Sequence, residues 1–99
     1  MVLHGYSVFD TKALVYSPPF FQSAHGAAIR MFMDLANDVN TTIGRHPADY
    51  ILFHVCQFDD QTGLSTAIEP RAHLADAISL LNRPKQQSTL FEDTSVEGK

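Results

Sequence analysis

Tryptophan is missing from this chain of 99 residues, and there is a single cysteine, Cys56, so no intramolecular disulfide can form. A small domain held by its core alone fits a reducing compartment better than secretion. The first residues, Met1-Val2-Leu3-His4-Gly5-Tyr6, lack a charged segment followed by an apolar run, and the sequence therefore predicts no signal peptide. No stretch approaches the roughly 18 apolar residues of a membrane span. These absences together predict a cytosolic protein with no membrane partner.

Positive charge is also scarce. Lys and Arg number 7 against 11 Asp and Glu, for a formal charge of −4. From Arg83 onward the two signs cancel, and the deficit lies in the first 82 residues. Nonspecific DNA affinity comes mainly from Lys and Arg displacing counterions. The balance therefore counts against strong autonomous DNA binding and leaves room only for a local patch. Glycine-rich phosphate loops, G-x-S-x-G and Walker patterns are all missing, and nothing in the sequence predicts an enzyme.

What remains is ordinary globular material, 44% hydrophobic and 18% charged, with seven Phe and three Tyr. A chain of this length forms one domain and buries roughly two-thirds of its unfolded surface. Residues 1–83 are expected to form that domain, with 84–99 a polar, flexible tail whose isolated Leu90-Phe91 suggests a short docking segment.

Val2 to Phe9 reads as a strand, Asp10-Thr11-Lys12 as a turn and Ala13 to Ser17 as the returning strand, ended by Pro18-Pro19. Ser23 is placed to cap a helix over Ala24 to Asn37, with Ala24, Ala28, Met31, Phe32 and Leu35 on one face. Asn40 to Pro47 is loop by composition. Asp49 to Phe58 is the strongest strand signal, bulky on both faces and therefore central. Asp59 to Gly63 makes a turn, Leu64 to Ile68 returns, and Pro70 opens a second helix over Arg71 to Asn82. The order predicts an α+β fold, ββα-ββα, with a four-stranded antiparallel sheet packed by helices on one face. The second bulky face of the central strand then calls for cover from the C-terminal helix or for a homodimer.

The chemistry-bearing residues have simple structural readings. The histidines at 4, 25, 46, 54 and 73 show no paired ligand spacing, so the sequence predicts no metal site and no cofactor. Cys56 lies in the most apolar strand and reads as a small core residue. Asp10, Asp59 and Asp60 read as turn formers, not paired catalytic carboxylates. For nucleic acid the candidates are Lys12, Arg30, Arg45 and His46, with Tyr16 chief among the aromatics available for stacking (Tyr6, Phe20, Phe21 and Tyr50 are the others).

Five segments follow in order: Tyr6-Ser7-Val8-Phe9-Asp10, Pro19-Phe20-Phe21, Ala28-Ile29-Arg30-Met31-Phe32 with Asn37-Asp38, His46-Pro47-Ala48-Asp49-Tyr50, and Phe58-Asp59-Asp60 with Thr62-Gly63. Together they resemble the small nonstructural protein of gokushovirus-type microviruses, tailless phages with circular single-stranded DNA genomes. The resemblance covers residues 3 to 70. It implies a DNA-binding or packaging-associated role in the host bacterial cytoplasm, at the switch from duplex replication to single-stranded genomes entering the procapsid. It carries no functional residues with it. Two roles stay open: a binder of viral single-stranded DNA, and an adaptor or homodimer that contacts the replication complex or procapsid. Clustering of Lys12, Arg30, Arg45 and the unpacked aromatics on one face would favour the first, and scattering the second.

Overall fold

Two hairpins with the same turn build the sheet. The computed structural model describes residues 1–82, and the expected tail over 84–99, with its Leu90-Phe91, lies outside them. Strand β1 (Val2–Asp10) turns into β2 (Val15–Tyr16), and β4 (Tyr50–Asp59) turns into β5 (Leu64–Asp76). In the first turn the Asp10 carboxylate accepts from the amides of Lys12 and Ala13, and the Leu14 amide donates to the Asp10 carbonyl. In the second, the Asp59 carboxylate accepts from Gln61, and the Gly63 amide donates to the Asp59 carbonyl. Both turns close on a residue of positive φ, Leu14 at 61° and Gly63 at 74°. The turn reading of these aspartates is thus what the backbone geometry displays.

The sheet is antiparallel and curled, ordered β2-β1-β4-β5, and β4 is central, flanked by β1 and β5. A fifth strand that the sequence did not announce, β3 (Phe20–Gln22), pairs with the first half of β1 beyond Pro18-Pro19. The two prolines interrupt the edge without ending it. Gly5 lies where β3 and β4 both crowd β1, and a Cβ there would run into Cys56 Sγ and the Phe21 ring.

Helix α1 (His25–Ala36) covers one face. It starts a residue later than its pattern suggests. Ala24 holds the capping position with no side-chain cap bond, so Ser23 does not serve as the cap. Ala28, Phe32 and Ala36 form its buried stripe against Tyr6, Leu52, Ala75 and Ala77. Full burial of a side chain the size of Phe32 or Leu52 contributes about 1.5–3 kcal/mol. The segment expected to be loop holds a one-turn helix, α2 (Thr42–Arg45), which Thr41 caps by accepting from the Gly44 amide. A 3-10 turn over Pro47–Asp49 follows.

The second helix, expected over Arg71 to Asn82, does not form. Strand β5 continues to Asp76, and only a 3-10 turn, Ala77–Leu80, follows. The reason is the length of β4. A return strand of Leu64 to Ile68 would leave the first half of this 10-residue strand without a partner along that edge, and buried backbone groups require one. Ile51, Leu52, Phe53 and His54 instead pair with Asp76, Ala75, His73 and Ala72. Pro70, after a cis peptide, sits in the wide bulge between Ala67 and Ala72, where an edge strand tolerates a missing donor. The described end of the chain folds under α1, where the Asn37 side chain donates to the Leu80 carbonyl and accepts from the Asn82 amide. No C-terminal helix therefore covers the far side of the sheet within the described residues. Among these residues no helix is long and apolar enough to cross a membrane.

Candidate functional site

Alternation along the strands sends Tyr6, Val8 and Leu52 toward α1 and the intervening residues to the opposite face. That opposite face is aromatic. Phe9 and Tyr16 meet at 4.5 Å between ring centroids, Tyr16 and Phe53 at 5.9 Å, and Phe53 and His73 at 6.0 Å. Further along β1, Phe21 packs on Phe58 at 6.1 Å over Gly5. Cys56 lies in the same row, half-buried and outside the core that its apolar strand suggested for it.

The curl of the sheet turns this face into a cleft of about 390 Å³. Its floor is Ser7 and Val55, one wall is the corner from Tyr16 to Pro19, and the other is the β5 bulge from Ala67 to Arg71. The corner is fixed by Ser17. Its hydroxyl accepts from the Val8 amide at 2.9 Å, and its carbonyl accepts from the buried Ser7 hydroxyl at 2.7 Å. Across the cleft the Arg71 guanidinium reaches from the last strand to the aromatics, 5.1 Å from the Tyr16 ring centroid and 5.0 Å from that of Phe53. Glu69 on the same bulge adds one carboxylate to the rim.

The residues selected from sequence do not converge. Tyr16 joins the cleft. Lys12, in the first turn, and Arg45 with His46, at the end of α2, occupy one end of the molecule, where the Thr11 amide donates to the Asp49 carbonyl. Their surroundings are mixed in sign. Tyr50 at that end has its hydroxyl pushed above its ordinary range by burial first, then by Asp10 and Asp49, against a smaller opposite effect of Arg45. Arg30 is exposed on α1, across the sheet from Tyr16. Arg71, which sequence reasoning assigned to a helix, is the cation that the aromatic face holds. Its neighbours come from strands β2 and β4, a proximity with no signal in linear order.

A second constellation lies on the helix side. His4 of β1, His54 of β4 and His25 at the start of α1 each bring a ring nitrogen to within 4.8 Å of the others. His4 Nδ1 and His54 Nε2 are 3.2 Å apart, and the Tyr6 hydroxyl is 2.7 Å from His25 Nδ1. His54 is buried, His4 half-buried and His25 exposed. Burial lowers the His54 pKa from its ordinary value, and the charges of His25 and His4 depress it further. Sequence spacing hid this group because its members come from three elements.

A curled antiparallel sheet with one helix on its inner side and an aromatic cleft on its outer side defines a small α+β domain. A family model described as Phage ORF5 protein matches residues 3–80, and the chain belongs to that family of phage proteins. No curated protein and no solved structure matches it.

Proposed function

We propose that this protein is a non-enzymatic component of the DNA cycle of a gokushovirus-type microvirus. On this reading it contacts viral single-stranded DNA in the host cytoplasm, at the switch from replication to genome packaging. The observation that carries the reading is the Arg71 guanidinium stacked against Tyr16 and Phe53 over an aromatic sheet face. Bases unstacked from a single strand bind such faces by stacking, worth about 1–3 kcal/mol each, without sequence preference. A duplex keeps its bases stacked inside and gains little there. The acidic balance of the domain restricts the electrostatic share, so the contact is local and rests on stacking. Lys12, Arg30, Arg45 and His46 do not share the Tyr16 face, a scattering that favours the second role below, so the DNA reading rests on Arg71 and the aromatics.

Fluorescence anisotropy with labelled single-stranded and duplex oligonucleotides, at about 50 and 200 mM salt, tests this reading. The expected result is preference for the single strand, a shallow salt dependence, and a roughly tenfold or greater loss on Arg71→Ala or Tyr16→Ala. Equal affinity for both forms, or full affinity in the Arg71→Ala variant, would sink it.

Besides that scattering, a groove favours a second role, as an adaptor or homodimer contacting the replication complex or procapsid. Between α1 and the β2 edge runs a groove of about 630 Å³ lined by apolar residues including Val15, Phe20, Met31, Leu35 and Ile43. Absence of binding to either nucleic acid, with a concentration-dependent mass in sedimentation, would make that role the working one.

A further inference from the structure

We infer that His4, His25 and His54 form a zinc site that joins the first turn of α1 to the two central strands. The inference is independent of the DNA contact, because the histidines lie on the helix side of the sheet and the cleft on the other. Three imidazole nitrogens within 4.8 Å of one another, drawn from β1, α1 and β4, make a donor set with neither carboxylate nor thiolate. Such a set suits a borderline ion such as Zn²⁺ and not Mg²⁺ or Ca²⁺, which take oxygen.

Tetrahedral zinc with bonds of about 2.0–2.1 Å requires its nitrogens roughly 3.3–3.4 Å apart. The His4 and His54 nitrogens already stand at 3.2 Å. Only His25, the exposed member of the three, must close in. The Tyr6 hydroxyl at His25 Nδ1 holds the ring in place, as partners of metal-bound imidazoles commonly do. Tyr6 is itself fully buried, so its hydroxyl has few other directions in which to find a partner. Three protein ligands would leave a fourth position for water.

The site also answers a local need. Helix α1 begins at His25 with no side-chain cap, and a metal held by its first residue would anchor that turn to the sheet. The ion is therefore expected to be structural and to raise thermal stability.

The test is calorimetric titration of ZnCl₂ into the full chain after chelator treatment, followed by melting with and without zinc. One equivalent of binding and a higher Tm are expected, and Co²⁺ in place of zinc should give the visible absorption of a four-coordinate site. His25→Ala, a change at an exposed residue, should abolish both the binding and the shift in Tm. Tyr6→Phe should weaken binding about tenfold. His73→Ala, outside the cluster, should bind as the unaltered chain does. No uptake of zinc at micromolar concentrations, or the same uptake and Tm shift in the His25→Ala variant, would overturn the assignment.

Discussion

The two hairpins share a turn and diverge after it. Each closes Asp-x-x-x with an amide of the fifth residue on the aspartate carbonyl, and each then runs back along its own partner. After β2 the chain leaves the sheet at Pro18-Pro19, rejoins it as β3 and departs into α1. After the second turn it stays, passing Pro70 in a bulge and pairing with β4 on both sides of it. Proline alone does not decide the outcome. The deciding factor is what the strand behind it still needs. The edge of β1 is served in two pieces, by β2 and β3, while β4 depends on β5 for its whole length.

The sharpest way to break the comparison is at Gly5, where β3 and β4 close on β1. Gly5→Val puts a branched side chain into Cys56 and Phe21 and is expected to destabilise by roughly 2–3 kcal/mol, read from a urea midpoint. In the second hairpin, Gly63→Ala places a Cβ at φ 74° and should cost about 1–2 kcal/mol by the same measurement. Alanine at Asp10 or at Asp59 removes acceptors for turn amides, a loss of about 1 kcal/mol for a cap of this kind. The first hairpin should suffer more, since Asp10 serves two amides and Asp59 one. Equal losses would mean that the second Asp10 contact contributes nothing. The smallest effect is a gain. Leu14 is exposed at φ 61°, and Leu14→Gly should raise stability by about 0.5 kcal/mol, the relief of backbone strain exceeding glycine's entropy cost.

Much of this architecture was readable from residue order. Both turns announce themselves by Phe-Asp at a strand end, and bulk on both faces marked β4 as central. The first helix kept Ala28 and Phe32 in its stripe and lost Ala24, because the chain is still extended there. The second helix misled for a physical reason. Pro70 followed by Leu74, Ile78 and Leu81 has helical spacing, yet the unpaired half of β4 outweighs that local preference. The bulge also shifts the alternation of β5, so no strand period was visible. The sites were less legible than the fold. Arg71 reaches Tyr16 only across the curl of the sheet, and His4 and His54 are separated by 50 residues. The far sheet face, anticipated to need cover, remains uncovered by any described element and has become the cleft.

The pairing of β1 with β4 has a consequence in time. Val2 meets Asp59 and Asp10 meets Tyr50, so the two innermost strands join parts of the chain that are far apart in sequence. Neither hairpin can complete the sheet by itself. During synthesis β1 waits, together with its β2 and β3 edge, until β4 has been made. Most of the stabilising contacts therefore arrive late and together, and folding belongs with the millisecond-to-second range of sheet proteins rather than with fast helical bundles.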